Sequence, residues 1–568
     1  MKKSLPIAPI LTLALLAGST ARLNAQQDFF QQQNHDQDHD RDDHDRDFRF
    51  IPGTLVVSRS VYKGAAATVT IGETLPIGCQ GGTTGLTVNV PLLSGGTTPV
   101  TVPCGVASDN GEYPNLVDTH NVWNNAKSDG SFGVSSPIYL DDITTDGWQL
   151  GSLPIPTSKI VTSFTSKSEL ALNRSVDGRS LTFMGYVGGI GCGGTTVSPT
   201  AANLLDVSQS NTPGVCDPTN PVFSTFSTSI PAAYYRGVAE IDANGHLTVT
   251  DGNAYSGDNG RAAIKGANDL YYMVGNDNSG NLSKKQMSTT QDGANLANAT
   301  GAELLTPGAN PPLPPNIQMI GRLEYGTDKP GKDTNFRGLT IINNTLYVAK
   351  GSGSNGYNTV YQAGTAGTLP IGSAGTLATV PLTPLPGFPN TTASTSNDFP
   401  FGLWFADAST LYVCDEGDGT LVTPAVNGNV ADAQSQATAG LQKWVLTNGT
   451  WVRQYILQNG LNIGVPYSIR NYPSSLNPAT GGCRNITGQH NPDGTVTIYA
   501  ITSTISANGD TGADPNKLVK VTDRVSDTTL PPPNGYLGRF FTVRNADAGE
   551  VLRGVAFAPG DNDRGFDW

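Results

Sequence analysis

Charge is scarce in this chain. Only 14% of its 568 residues are Asp, Glu, Lys or Arg, and acids outnumber bases 47 to 34, a net charge of −13. Affinity for nucleic acid and for anionic membranes comes largely from Lys and Arg, so both partners are excluded on that ground. Long apolar runs are scarcer still. The one at Leu5–Gly18 has 14 residues, short of the roughly 20 that a bilayer-crossing helix needs. Familiar catalytic signatures are missing as well. There is no CxxC pair for zinc, no GxSxG elbow, no HExxH helix and no phosphate loop. The glycine-rich GYVGGIGCGG at Gly185–Gly194 lacks the following helix that a dinucleotide site requires.

What is present is glycine, 67 residues, and proline, 38, among many Thr, Ser and Asn. That is the composition of a turn-rich, exported β protein. Lys2 and Lys3 precede the apolar run, and Leu23-Asn24-Ala25 offers a small-residue cleavage site before Gln26. Residues 1–25 are therefore expected to be a secretory signal, which makes the mature protein secreted or periplasmic with no membrane span; an uncleaved anchor is the alternative. Residues 26–50 follow as a low-complexity stretch with His35, His39 and His44 among eight Asp. It lacks the apolar residues that offset ordering entropy, so a disordered acidic tail is expected, with weak cation capture as its functional alternative.

From there the chain repeats itself. Arg337–Gly351 reads RGLTIINNTLYVAKG, two short β-rich runs about a tight Asn343-Asn344 turn. Similar pairs start at Arg261, Phe401 and Arg484, with a looser copy at Glu169 and a half copy, RGVAFAPG, at Arg553. Repeated hairpins of this kind predict an all-β fold, a single β-propeller of six four-stranded blades, with seven as the alternative if Leu304–Tyr325 or Gly535–Arg544 is an extra sheet. The stretch GTLVVSRSVYKG, which ends at Gly64, matches a second strand and has no first strand of its own. Its missing partner is LRGVAFAPG near the other end, so the C-terminal strand should close the ring against N-terminal strands and remove the open edges. The expected organisation is a signal at 1–25, a tail at 26–50 and a propeller at 51–568 with insertions at 64–135 and 187–234.

The LYVAKG and LYVCDEG strands, each after an apolar strand and a short turn, resemble the hairpins of NHL-type and YVTN-type propellers exported by bacteria, over Glu169–Pro559. The resemblance implies a fold and a superfamily that holds lactonases, lyases and plain binding or scaffold modules. No catalytic signature of one branch matches residue by residue.

Blade geometry sorts the candidate residues. The start of every first strand and the loop after every second strand share one rim. Arg261, Arg337, Arg484 and Arg553 fall there, an electropositive mouth suited to carboxylate or phosphate. Fastening blade to blade is their structural alternative. Asp415, Glu416 and Asp418 are candidate ligands for Ca²⁺ on the same rim, or else partners for Arg484. His120, in the first insertion, is the histidine expected on this face. Six cysteines in an exported chain invite pairing. Proximity favours Cys79–Cys104 and Cys192–Cys216, which leaves Cys414–Cys483, and all three would brace that rim. The leading functional expectation is binding of a small anionic molecule or of another extracytoplasmic protein at the mouth. A Ca²⁺-assisted lactonase, hydrolase or lyase on the same face, and a cell-surface interaction scaffold, are the alternatives.

Overall fold

The computed structural model describes residues 48–62, 74–75, 85–91, 97–103, 105–114, 121–125, 129–133, 135–157, 159–164, 166–167, 169–187, 236–252, 255, 259–277, 302–307, 317–324, 334–353, 356–391, 396–419, 436–472, 474, 477–506 and 511–560. All but Phe48 belong to the compact unit Arg49–Trp568. No helix among the described residues is long and apolar enough to cross a membrane.

The unit is all-β, with its sheets in a propeller-like arrangement. Leu55–Val61 lies between Glu550–Phe557 on one side and Ile138–Ile143 on the other, with Gln149–Pro154 outermost. Leu55 faces Phe557 and Val61 faces Glu550, so the last described strand is antiparallel to the first. Both strands carry apolar residues with nowhere else to go: Leu55, Val57, Leu552 and Val555 are buried together with Tyr499, Ile501 and Leu518 of the neighbouring sheet. Arg59 and Arg544 converge on the buried Asp141 carboxylate, at 2.7 and 3.0 Å, and tie that seam further.

Two more sheets each take four strands in chain order. One is Pro400–Asp407, Thr410–Asp415, Gly440–Thr447 and Thr450–Leu457; the other is Ala479–His490, Thr495–Ile505, Lys517–Arg524 and Phe540–Asn545. Elsewhere the expectation of separate four-stranded sheets does not hold. Asn173–Arg174, Ser180–Val187, Arg236–Asp242 and Leu247–Gly252 pair in order, but Ile160–Ser163 and Ser135–Ser136 extend them to six. Gly260–Lys265, Tyr271–Asp277, Ala302–Leu305 and Ile317–Met319 share one nine-stranded sheet with Thr334–Ile342, Thr345–Ser352, Thr359–Ala363 and Pro381–Pro384. They merge because Asn276 and Asp277 pair with Asn335 and Thr334, and because Arg322–Leu323 lies parallel to Pro381–Pro384. Backbone groups left over at strand ends find partners this way. The segments weighed as a seventh sheet, Leu304–Tyr325 and Gly535–Arg544, supply outer strands of these sheets instead. Inside the first insertion, backbone pairing forms a small four-stranded sheet and a separate hairpin of Gly85–Pro91 with Thr97–Pro103.

The near-continuous apolar runs of the second strands have a direct cause. Each sheet is covered on both faces, so alternate residues enter different interfaces. Leu411 and Val413 pack with Ala349, Val360 and Phe388 of the preceding sheet. Tyr412 and Cys414 pack with Cys483, Ile486 and Ile498 of the following one. Between the strands, Asn343 and Asn344 both sit at positive φ, 46° and 58°, as a tight hairpin turn requires. Asn448-Gly449 does the same in an outer hairpin.

Candidate functional site

All four arginines lie within first strands: Arg261 at the start of Gly260–Lys265, and Arg337, Arg484 and Arg553 in the interiors of Thr334–Ile342, Ala479–His490 and Glu550–Phe557. Arg261, Arg484 and Arg553 are buried, and Arg337 is half-buried. Two cavities of about 150 Å³ open beside Arg261, Arg337 and Arg484, and Arg553 lines neither. Ser166, Asn259, Arg261, Asn276 and Asn335 line the first, and Glu416, Arg484, Ser352 and Ser503 line the second. Lys167 and Arg337 line both. The two cavities share two cationic walls; the first adds amides, and the second adds hydroxyls and the acidic residues Glu416 and Asp418.

Glu416 organises the second half. Its carboxylate accepts from Arg484 Nε at 3.0 Å and pairs with Arg337 Nη2 at 3.4 Å, which joins three neighbouring sheets. Burial opposes its charge, but Arg337, Arg484 and Lys167 outweigh that and hold its carboxyl below the ordinary range. Arg337 also donates from Nη2 to Ser352 Oγ at 2.8 Å. The backbone carbonyl of Glu416 accepts from Ser503 Oγ at 2.8 Å. Arginine as an inter-sheet fastener and arginine as cavity wall therefore coexist at Arg337 and Arg484.

Arg553 is the most enclosed of the set. Its Nη2 donates to Phe164 O at 2.6 Å and Ser163 O at 3.4 Å. Nε and Nη1 have no hydrogen-bond partner among the described residues. Burial pushes its guanidinium down to about 10, against the pull of Glu169. Glu169 is itself buried and accepts from Tyr186 Oη and Asn259 Nδ2, each at 2.8 Å. Arg236 lies over the Tyr186 ring, 4.6 Å from its centroid.

Two of the three candidate cation ligands, Asp415 and Glu416, turn to different partners. Asp415 is fully buried, and its carboxylate accepts from Phe399 N, Gly417 N and Gln442 Nε2 at 2.8 to 3.0 Å. Burial pushes that carboxyl well up despite the two backbone amides. Glu416 turns instead to the arginines, and the Asp418 amide donates to Gln436 Oε1. Among the described residues, no group of three or more His, Cys, Asp or Glu side chains is placed to hold a metal ion. Sequence neighbours in an extended strand end point to different sides, which spacing alone could not reveal.

Cys414–Cys483 is formed and joins a second strand to the next first strand, two residues from Glu416 and one from Arg484 in sequence. His120, Cys79, Cys104, Cys192 and Cys216 lie outside the described residues. Sequence reasoning missed Lys167 and the three asparagines. Asn259 stands two residues before Arg261, and Asn276 is the last residue but one of its partner strand, so hairpin register held a signal for both.

No protein-family model matches the chain, and neither does any curated protein. Among solved structures it is similar to a glucose dehydrogenase, at 14% identity, with 68% of this chain and 92% of that one covered and a TM-score of 0.32. It is also similar to the parainfluenza virus 5 hemagglutinin-neuraminidase ectodomain, at 10% identity, 96% of each chain and a TM-score of 0.28. A quinonprotein alcohol dehydrogenase-like protein from Bacteroides thetaiotaomicron is matched at 10% identity, over 88% of this chain and 99% of that one, with a TM-score of 0.27. Overlaps this loose have no bearing on what the present chain binds.

Proposed function

We propose that this chain is an exported propeller of six four-stranded blades that binds a carboxylate- or phosphate-bearing ligand at its arginine-lined mouth. The blade count is supported by contacts among first strands. These run from Gly260–Lys265 to Thr334–Ile342, on to Pro400–Asp407, Ala479–His490 and Glu550–Phe557, and back through Asn173–Arg174. The observation that carries the binding reading is the placement of Arg337 and Lys167 as shared walls of two cavities whose other walls include Arg261 and Arg484. Planar guanidinium groups recognise carboxylate and phosphate through paired hydrogen bonds. Export is supported by the basic and apolar N-terminal residues and by the Cys414–Cys483 bridge, since such bonds persist in oxidising compartments.

Titration of the full chain with inorganic phosphate and with citrate, by calorimetry at low salt, tests the reading. Binding is expected for at least one of the two anions and should weaken about tenfold or more in Arg337→Ala. It should also fall as salt rises. Stability should drop by only about 1 kcal/mol, because Arg484 still pairs Glu416. Loss of stability without any change in anion binding would assign the arginines to fastening alone.

A further inference from the structure

The opposite end of the same axis has a cavity of another character. First strands run from the arginines toward their hairpin turns, and around those turn-side ends lies a cup of about 340 Å³. That volume is at the small end of the range typical of ligand pockets. Ile264, Ile341, Trp404, Ile486 and Phe557, each from a different first strand, supply apolar wall. Ile341, Trp404 and Phe557 are only half-buried, so the cup leaves apolar surface in contact with solvent.

Its floor is closed by backbone. A Cβ placed on Gly338 would fall 2.1 Å from Phe401 O, one on Gly402 2.2 Å from Arg484 O, and one on Gly554 2.3 Å from Leu170 O. The gap left along the axis, lined by Ala171, Ala262, Gly338, Gly402 and Asn485 among others, is about 10 Å³. A space that size holds about one water at most. The cup is therefore blind and separate from the charged mouth.

One wall is fixed in advance. A Cβ on Gly488 would meet three atoms of the Trp404 indole at 2.7 Å, so the ring lies against the bare backbone of the neighbouring strand. Tyr412 and His490 rings flank it, with centroids at 5.9 and 6.2 Å. An indole held this way loses little freedom when a second ring packs on it. At the rim, Arg174 is fixed by its bonds from Nε to Gly178 O and from Nη2 to Gly560 O.

We propose that this cup is a second binding site, independent of the arginine mouth, for a small planar aromatic group. A flat ring gains offset packing on the indole as well as burial, which an alkyl chain does not.

The test uses 2-naphthol as probe, titrated calorimetrically into the full chain. Saturable binding is expected, weakened about tenfold or more by Trp404→Ala and by Gly488→Ala, whose methyl must displace the indole. Arg337→Ala should leave it unchanged, which separates failure of this site from failure of the anion site. Absence of binding to the unaltered chain, equal binding by both cup variants, or loss in Arg337→Ala would each overturn the proposal. So would binding that emerges only once residues 561–568 are removed, since the cup would then be taken by the chain itself. Should the cup variants fail to fold, crystals of the unaltered chain soaked in 2-naphthol decide. Ring density against Trp404 supports the site, and density only elsewhere overturns it.

Discussion

Glu416 and Lys443 illustrate two uses of a buried charge at the scale of single residues. Glu416 sits between two guanidinium groups that face a cavity, and its folded pKa lies below the ordinary 4.5. A group lowered in the folded state stabilises above its unfolded value, and that contribution is lost as pH falls through the folded one. Acid unfolding followed by urea midpoints should therefore show a fall below about pH 4.5 that is shallower in Glu416→Gln. Lys443 is different. It is fully buried with Asp523 at 3.1 Å, and Tyr412 and Tyr455 donate to the same carboxylate. Nothing in that cluster faces a cavity named above; it fastens one sheet to the next. Removing one partner strands the other in a dry interface, so Asp523→Ala should cost about 3–5 kcal/mol in urea denaturation.

At the scale of elements, the hairpins were legible because their chemistry is local. Asn343-Asn344 and Asn448-Gly449 need only their own backbone to specify a tight turn, and the flanking β-branched and aromatic residues need only a sheet with two covered faces. Extra pairing was not legible. The bonds from Asn276 and Asp277 to the next sheet, and the parallel approach of Arg322–Leu323, depend on where whole sheets lie. The Cys414–Cys483 bridge was reached by proximity and elimination, and its use follows from the elements it joins. It closes a loop of sequence separation 69 between two sheets, next in sequence to the Glu416–Arg484 pair. Replacing both cysteines by alanine should lower stability by about 2–5 kcal/mol, read from denaturant midpoints. Anion binding at the mouth should weaken with it if the bridge also positions that ion pair.

For the whole molecule, closure is the decisive event. Leu55–Val61 has partners on both sides only because Glu550–Phe557 returns to it after nearly the full length of the chain. A chain ending at Asn545 would leave that strand as an open apolar edge and break the sequence of contacts among first strands. Size-exclusion chromatography and thermal melts should show aggregation and loss of a cooperative transition; a monomer with unchanged melting would show that closure is dispensable.

Residue order alone determined the all-β character, the hairpin turns, the pairing of the two chain ends and the recurrence of arginine in four first strands. Each follows from a pattern short enough to be read locally or repeated often enough to be compared. Only the tertiary structure decided which charges meet: Glu416 turned to Arg337 and Arg484, Asp415 turned to backbone amides, and Lys167 came to line both charged cavities from a segment without any repeat signature. It also decided how closely neighbouring first strands approach at Gly338, Gly402 and Gly554. Those outcomes depend on distances between sheets that are far apart in the chain, and no spacing along a sequence encodes a distance across a ring.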